Sequence, residues 1–143
     1  MASESRLYTF GSDTKDKLRK FRLSTSRSNT PQAIIYQIDK KTLEIKPSDG
    51  EVYTDMQELS DEMPDNTPRY ILLSYPLTLK KSGRLAVPYV MLNYMPPTCS
   101  AELRMLYAGA KELMKNTAEA GKIIEIENAD ELESIEEKLQ GEE

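Results

Sequence analysis

The chain has 143 residues, one cysteine (Cys99), no histidine and no tryptophan, and its 38% hydrophobic and 30% charged residues leave a net charge of -5. That length suits a single domain able to bury a core without metal or disulfide staples. Without histidine, Ser-His-Asp and Cys-His nucleophiles and His-containing zinc sites are excluded, and one cysteine leaves neither an intrachain disulfide nor a CxxC pair.

The charge is uneven. Residues 1–50 hold 10 Lys/Arg and 6 Asp/Glu, whereas residues 51–143 hold 9 and 18. The stretch 125–143 carries nine acids and one base, Lys138. Such a split suits either a charged partner surface or two solvated faces. No apolar run reaches membrane-spanning length, and the start, MASESRLYTF, carries no secretory pattern.

Residues 1–10 are expected to be a flexible segment ahead of one domain over 11–143. Ser12 can cap a helix over 13–23, whose narrow apolar stripe is Leu18 and Phe21. Lys15, Lys17, Arg19, Lys20 and Arg22 make the rest of that helix basic. A loop over 24–31 leads to a strand at 33–38, a turn at Asp39–Lys41 and a second strand at 43–45. A short acidic helix is expected over 55–62. Arg69–Tyr75, apolar on both parities, reads as a strand buried on both faces. A turn over 79–83 precedes a long strand over 84–95, in which Pro88 demands an edge or a bulge.

Ser100 can cap the longest helix, over 101–119, with Leu103, Leu106, Tyr107, Ala110, Leu113, Met114 and Thr117 as its inner face. Met105 lies off that face, beside Glu102 and Arg104. It reads as a surface methionine or as an exposed apolar anchor for a partner. Gly121 is placed as a helix-ending glycine. A strand over 122–126 follows, with Glu125 and Glu127 on its exposed parity, and an acidic helix over 130–139 closes the chain. This order predicts an α/β fold, a mixed sheet of about five strands covered by helices on both faces.

No glycine-rich phosphate loop is present, and nothing marks a buried carboxylate couple. Cys99 reads as structural. The basic helix can meet an acidic protein, an anionic lipid or nucleic acid, and the acidic whole chain argues against nucleic acid.

LRKFR (18–22), AIIYQIDK (33–40), PRYILLSY (68–75), GRLAVPY (83–89), MLYAGAKE (105–112) and NTAE (116–119) carry a family resemblance. The chain resembles the actin-depolymerising factor homology (cofilin-like) family, over about residues 15–139, and its glia maturation factor branch in particular. The resemblance implies a five-stranded mixed sheet sandwiched by helices, no catalytic residue, no cofactor and no metal. It implies a monomer of the cytoplasm, the cytoskeleton and cortical actin patches, and of the nucleus. The implied partners are the actin-related protein 2/3 complex and the actin filament at branch junctions. The implied action is inhibition of nucleation and release of branches. A cofilin-like protein that severs actin directly is the nearest alternative, and an anionic-lipid module is a more distant one.

By the same resemblance, the complex-binding surface would comprise Lys17, Lys20, Arg22, Glu102, Arg104, Met105 and Lys111. A second surface, toward daughter-filament actin, would hold Lys80, Lys81, Arg84, Asp130, Glu131 and Glu133. Ser3 and Ser5 are candidate phosphorylation sites. Cofilins carry two basic residues at KxK before the methionine, where this chain has Glu102 and Arg104. The acid is expected to weaken binding to actin monomers.

Overall fold

The computed structural model describes residues 8–25 and 29–140. Its strands are β1 (Thr9–Phe10), β2 (Gln32–Ile38), β3 (Glu44–Pro47), β4 (Arg69–Ser74), β5 (Leu77–Thr78), β6 (Leu85–Ala86), β7 (Tyr89–Tyr94) and β8 (Ile123–Ile126). Its helices are α1 (Ser12–Thr25), α2 (Met56–Asp61), α3 (Ala101–Ala118), a 3₁₀ turn (Ala129–Ser134) and α4 (Ile135–Gln140). Six strands form one mixed sheet in the order β1-β3-β2-β4-β7-β8. β2, β3, β4 and β7 pair antiparallel, while β1 joins β3 and β8 joins β7 in parallel. The parallel β7–β8 pair is what a helical crossover through α3 requires.

Strand alternation sends each apolar set to its own helix layer. Tyr70 and Leu72 of β4 meet Leu18, Phe21, Tyr107 and Met114 of α1 and α3. Ile71 and Leu73 of the same strand meet Leu59, Leu132, Ile135 and Leu139 of α2, the 3₁₀ turn and α4. β4 is therefore buried on both faces, as its sequence implied.

The structure departs from the sequence reading at the β1 edge of the sheet, at Pro88, at the end of α3 and in the last helix. Residues 1–7 lie outside the described residues, as do Ser3 and Ser5, but Thr9–Phe10 is an ordered strand against Glu44–Ile45. Thr9 and Phe10 therefore belong to the sheet. The long strand over 84–95 breaks at Val87–Pro88. β6 pairs with β5 in a separate hairpin, and only β7 enters the sheet. Pro88 has no N–H to donate, so the ladder cannot run through it, while its carbonyl still accepts from Tyr75 N at 3.1 Å.

Gly121 does not end α3. Glu119 does so in the left-handed region, φ 59°. Gly121 instead permits a close approach: its N–H bonds the Tyr89 carbonyl at 2.8 Å, and a Cβ there would stand 3.2 Å from that oxygen. The final acidic helix is two pieces, the 3₁₀ turn and α4. Glu131 Oε2 accepts from the backbone N–H of Glu127 at 2.7 Å and Asn128 at 3.1 Å, which fixes the start of the turn.

Candidate functional site

The start of α3 is built by its cap. Ser100 Oγ accepts from Leu103 N at 3.2 Å and satisfies an otherwise orphan donor of the first turn. With Leu103 and Leu106 turned inward, helical spacing throws Glu102, Arg104 and Met105 outward. Met105 is 71% exposed. Arg104 Nη2 reaches back to the Pro97 carbonyl at 3.4 Å.

Glu102 is held by a residue that the sequence reading did not select. Lys40 Nζ lies 2.6 Å from Glu102 Oε1. Lys40 sits on the β2–β3 turn, which Asp39 organises by accepting from the N–H of Thr42 at 3.1 Å and of Lys41 at 2.9 Å. The Thr42 amide first and then the Lys41 amide hold the Asp39 carboxyl below its usual range. Leu43, φ 61°, completes the tight turn in the left-handed region. Both partners of the Lys40–Glu102 pair are exposed, so its value is in display and local charge more than in stability. The only sequence signal for Lys40 was its place in a polar turn, which says nothing of its distance from α3.

Tyrosines fix α3 to the rest of the molecule. Tyr8 Oη donates to the Leu106 carbonyl at 2.8 Å, Tyr89 Oη to the Ala118 carbonyl at 3.0 Å, and Tyr70 Oη to the Tyr107 carbonyl. Tyr107 Oη accepts from Ile38 N at 3.0 Å. Burial first, then nearby Tyr107, pushes the Tyr70 hydroxyl far above its usual value, so it stays a donor.

The expected complex-binding residues fall into separate groups. Glu102, Arg104 and Met105 share one turn. Lys111 lies further along α3 and reaches Glu125 Oε2 of β8 at 3.1 Å, while Asn93 Nδ2 holds Glu125 Oε1 at 2.7 Å. Arg22 stands 3.9 Å from Glu119, past the end of α3. Fourteen helical steps separate Glu119 from Met105, about 21 Å at 1.5 Å per residue. Lys17 and Lys20 flank a cleft between α1 and β2–β3.

The second expected surface also divides. Lys80, Lys81 and Arg84 are exposed on the β5–β6 hairpin, which α4 grips: Gln140 Oε1 accepts from Lys80 N at 2.9 Å and Gln140 Nε2 donates to the Thr78 carbonyl at 2.8 Å. Asp130 lies at the opposite end of that segment, beside Pro97 and Thr98. Glu133 is exposed between them. Glu131 is engaged within the fold, with Lys138 Nζ 3.2 Å from its second oxygen. Partial burial opposes its ionisation, but the amides of Glu127 and Asn128 and then Lys138 outweigh it and hold the carboxyl below its usual range.

Among the described residues no cluster of three potential ligands can hold a metal, and no helix is long and apolar enough to cross a membrane. Cys99 is buried beside Met95.

A small mixed sheet between two helix layers, with a capped long helix presenting one exposed methionine among charges, defines a domain of the cofilin type. The family model described as cofilin/tropomyosin-type actin-binding protein matches residues 8–140. Protein AIM7 of Saccharomyces cerevisiae is 35% identical over 95% of this chain and 98% of its own length. Human glia maturation factor beta is 38% identical over 89% of each chain. The solution structure of glia maturation factor from Caenorhabditis elegans superposes with a TM-score of 0.72 at 32% identity, covering 87% of this chain and 88% of that one. Streptomyces griseoflavus cofilin shares the fold, with a TM-score of 0.74 at 13% identity over 92% of this chain and 96% of its own. The chain belongs to the cofilin/ADF family, in its glia maturation factor branch.

Proposed function

We propose that the chain regulates branched actin by binding the actin-related protein 2/3 complex, inhibiting its nucleation and releasing filament branches. The observation that supports this reading is the first turn of α3. Met105 is a large exposed apolar side chain on a rigid helix start, the form of an anchor that fills a partner's cleft. Glu102 stands where cofilins carry a lysine, and Lys40 neutralises it rather than leaving a bare acid. The turn therefore offers Arg104 as its one unmatched charge beside the anchor, which suits a cleft different from that of an actin monomer.

The activity is binding alone, without catalysis. A ligand that prefers the unbranched arrangement shifts that equilibrium by its differential affinity. Lys17, Lys20, Arg22 and Lys111, at separate places on α1 and α3, would add contacts away from the turn, and the hairpin lysines and Arg84 would face daughter-filament actin. The protein would act as a monomer in the cytoplasm at cortical actin patches.

The test follows branches by fluorescence microscopy. Lys20→Ala/Arg22→Ala is expected to slow branch release with an unchanged melting temperature. An unchanged rate with the folded double variant removes the assignment. Co-sedimentation and shortening of pure filaments, without the branching complex, would instead establish direct severing.

A further inference from the structure

The cleft between α1 and the β2–β3 corner is distinct from the Met105 turn. It encloses about 360 Å³ and is walled by Phe21, Ile34, Pro47 and Val52, with Lys17 and Lys20 along its rim. β1 pairs only with Glu44 and Ile45, short of Pro47 in the cleft wall.

Two observations give the cleft a chemical preference. No lining residue is acidic, and among the described residues Lys17 and Lys20 enter no ion pair. They lie three residues apart on α1, close enough for one anionic group to meet both. Second, Tyr36 lines the cleft, is fully buried, and its hydroxyl has no hydrogen-bond partner among the described residues. Tyr70 and Tyr89, on the same sheet face, each find a carbonyl on α3. A buried hydroxyl left unbonded is costly, and an acceptor on a ligand would relieve that cost.

We propose that this cleft binds a small anionic amphiphile: an apolar body, aromatic or branched, with a sulfonate, carboxylate or phosphate at one end. The body rests on Phe21, Ile34, Pro47 and Val52. The anionic end meets Lys17 and Lys20. An acceptor on the buried edge takes the Tyr36 hydroxyl hydrogen bond as the cleft walls part, because that oxygen is closed to solvent in the free protein. The volume falls within the range of small-molecule sites and suits a whole molecule of this kind. A cation or a neutral sugar would leave the lysines unmatched and the apolar wall poorly covered.

The test uses the isolated chain, so its result does not depend on the branching complex. The probe is 8-anilinonaphthalene-1-sulfonate, titrated under native conditions with fluorescence and calorimetric stoichiometry. One saturable site is expected. Lys17→Glu/Lys20→Glu should weaken it by about tenfold or more, the scale of lost charge-assisted contacts. Tyr36→Phe should weaken it by about threefold, the scale of one neutral hydrogen bond. Val52→Trp, which fills the cleft without changing charge, should block it, and Lys115→Glu on α3 should leave it unchanged. Non-saturating dye uptake, or equal affinity in the folded Lys17→Glu/Lys20→Glu variant, overturns the proposal. So does binding to phosphatidylserine vesicles that needs both lysines while dye binding does not, since that would assign the lysines to a bilayer.

Discussion

The two helix layers share one sheet but differ in charge and in how they use their polar groups. α1 and α3 carry eight basic and four acidic side chains, whereas α2, the 3₁₀ turn and α4 carry one basic and seven acidic. The uneven charge along the sequence thus becomes two sides of one molecule. On the basic side Met105 stands out, Lys17 and Lys20 enter no ion pair among the described residues, and a cleft is open. On the acidic side two carboxylates bond back to the fold: Glu131 fixes the 3₁₀ turn and Glu136 accepts from Tyr75 at 3.1 Å. The difference separates a layer that presents side chains from a layer that closes the core.

Breaking the closing layer should give the largest effect. Leu132 is fully buried there, and Leu132→Ala should cost about 2–5 kcal/mol in urea unfolding. Affinity for the branching complex per folded molecule should be unchanged, and a matching loss of affinity would dissolve the division. Next come two tyrosines of the presenting layer. Tyr70→Phe removes the bond to the Tyr107 carbonyl and should cost about 1–2 kcal/mol. Tyr36→Phe removes an unbonded hydroxyl and should leave stability equal or slightly higher, so urea midpoints that fall alike would contradict their different bonding.

Charge exchange sharpens the contrast at the level of binding. Lys20→Glu/Arg22→Glu should lower complex affinity by about tenfold, a loss that shrinks at higher salt. Glu58→Lys/Glu137→Lys, on the other layer, should change it by less than about twofold. Co-pelleting at two salt concentrations reads both.

The smallest effect is expected from Glu131→Ala, about 1 kcal/mol near pH 7 for a lost helix-start contact. The folded carboxyl titrates below its unfolded value, so its contribution is complete above the unfolded value and disappears as pH falls through the folded one. Wild type and variant should therefore converge in acid. A gap that persists at low pH would mean that the carboxylate charge is not what stabilises the turn.

Local patterns made much of this legible. The spacing of Leu103, Tyr107, Ala110 and Met114 placed α3 to within a residue, and RYILLS declared a strand covered on both sides. Met105 was conspicuous because it broke that spacing. What escaped was set by contacts distant in sequence. Thr9–Phe10 is too short to show a period and is a strand only because Glu44–Ile45 lies beside it. Pro88 signalled an interruption, but that β6 leaves the sheet for β5 depends on where the hairpin meets Gln140. Grouping Arg22 with Met105 followed charge and resemblance, and the distance between them depends on how α1 crosses α3. Lys40 beside Glu102 and the unbonded Tyr36 hydroxyl are likewise consequences of packing.

The tyrosine bonds to α3 have a mechanical consequence. They join the helix to β4 through Tyr70, to β2 through Ile38 and to β7 through Tyr89, with Tyr8 tying in the chain ahead of α1. A pull on Met105 is therefore not taken up by one hinge but shared among three adjacent central strands. The helix acts as a stiff beam clamped along its length, and load applied at its tip passes into the sheet with little give.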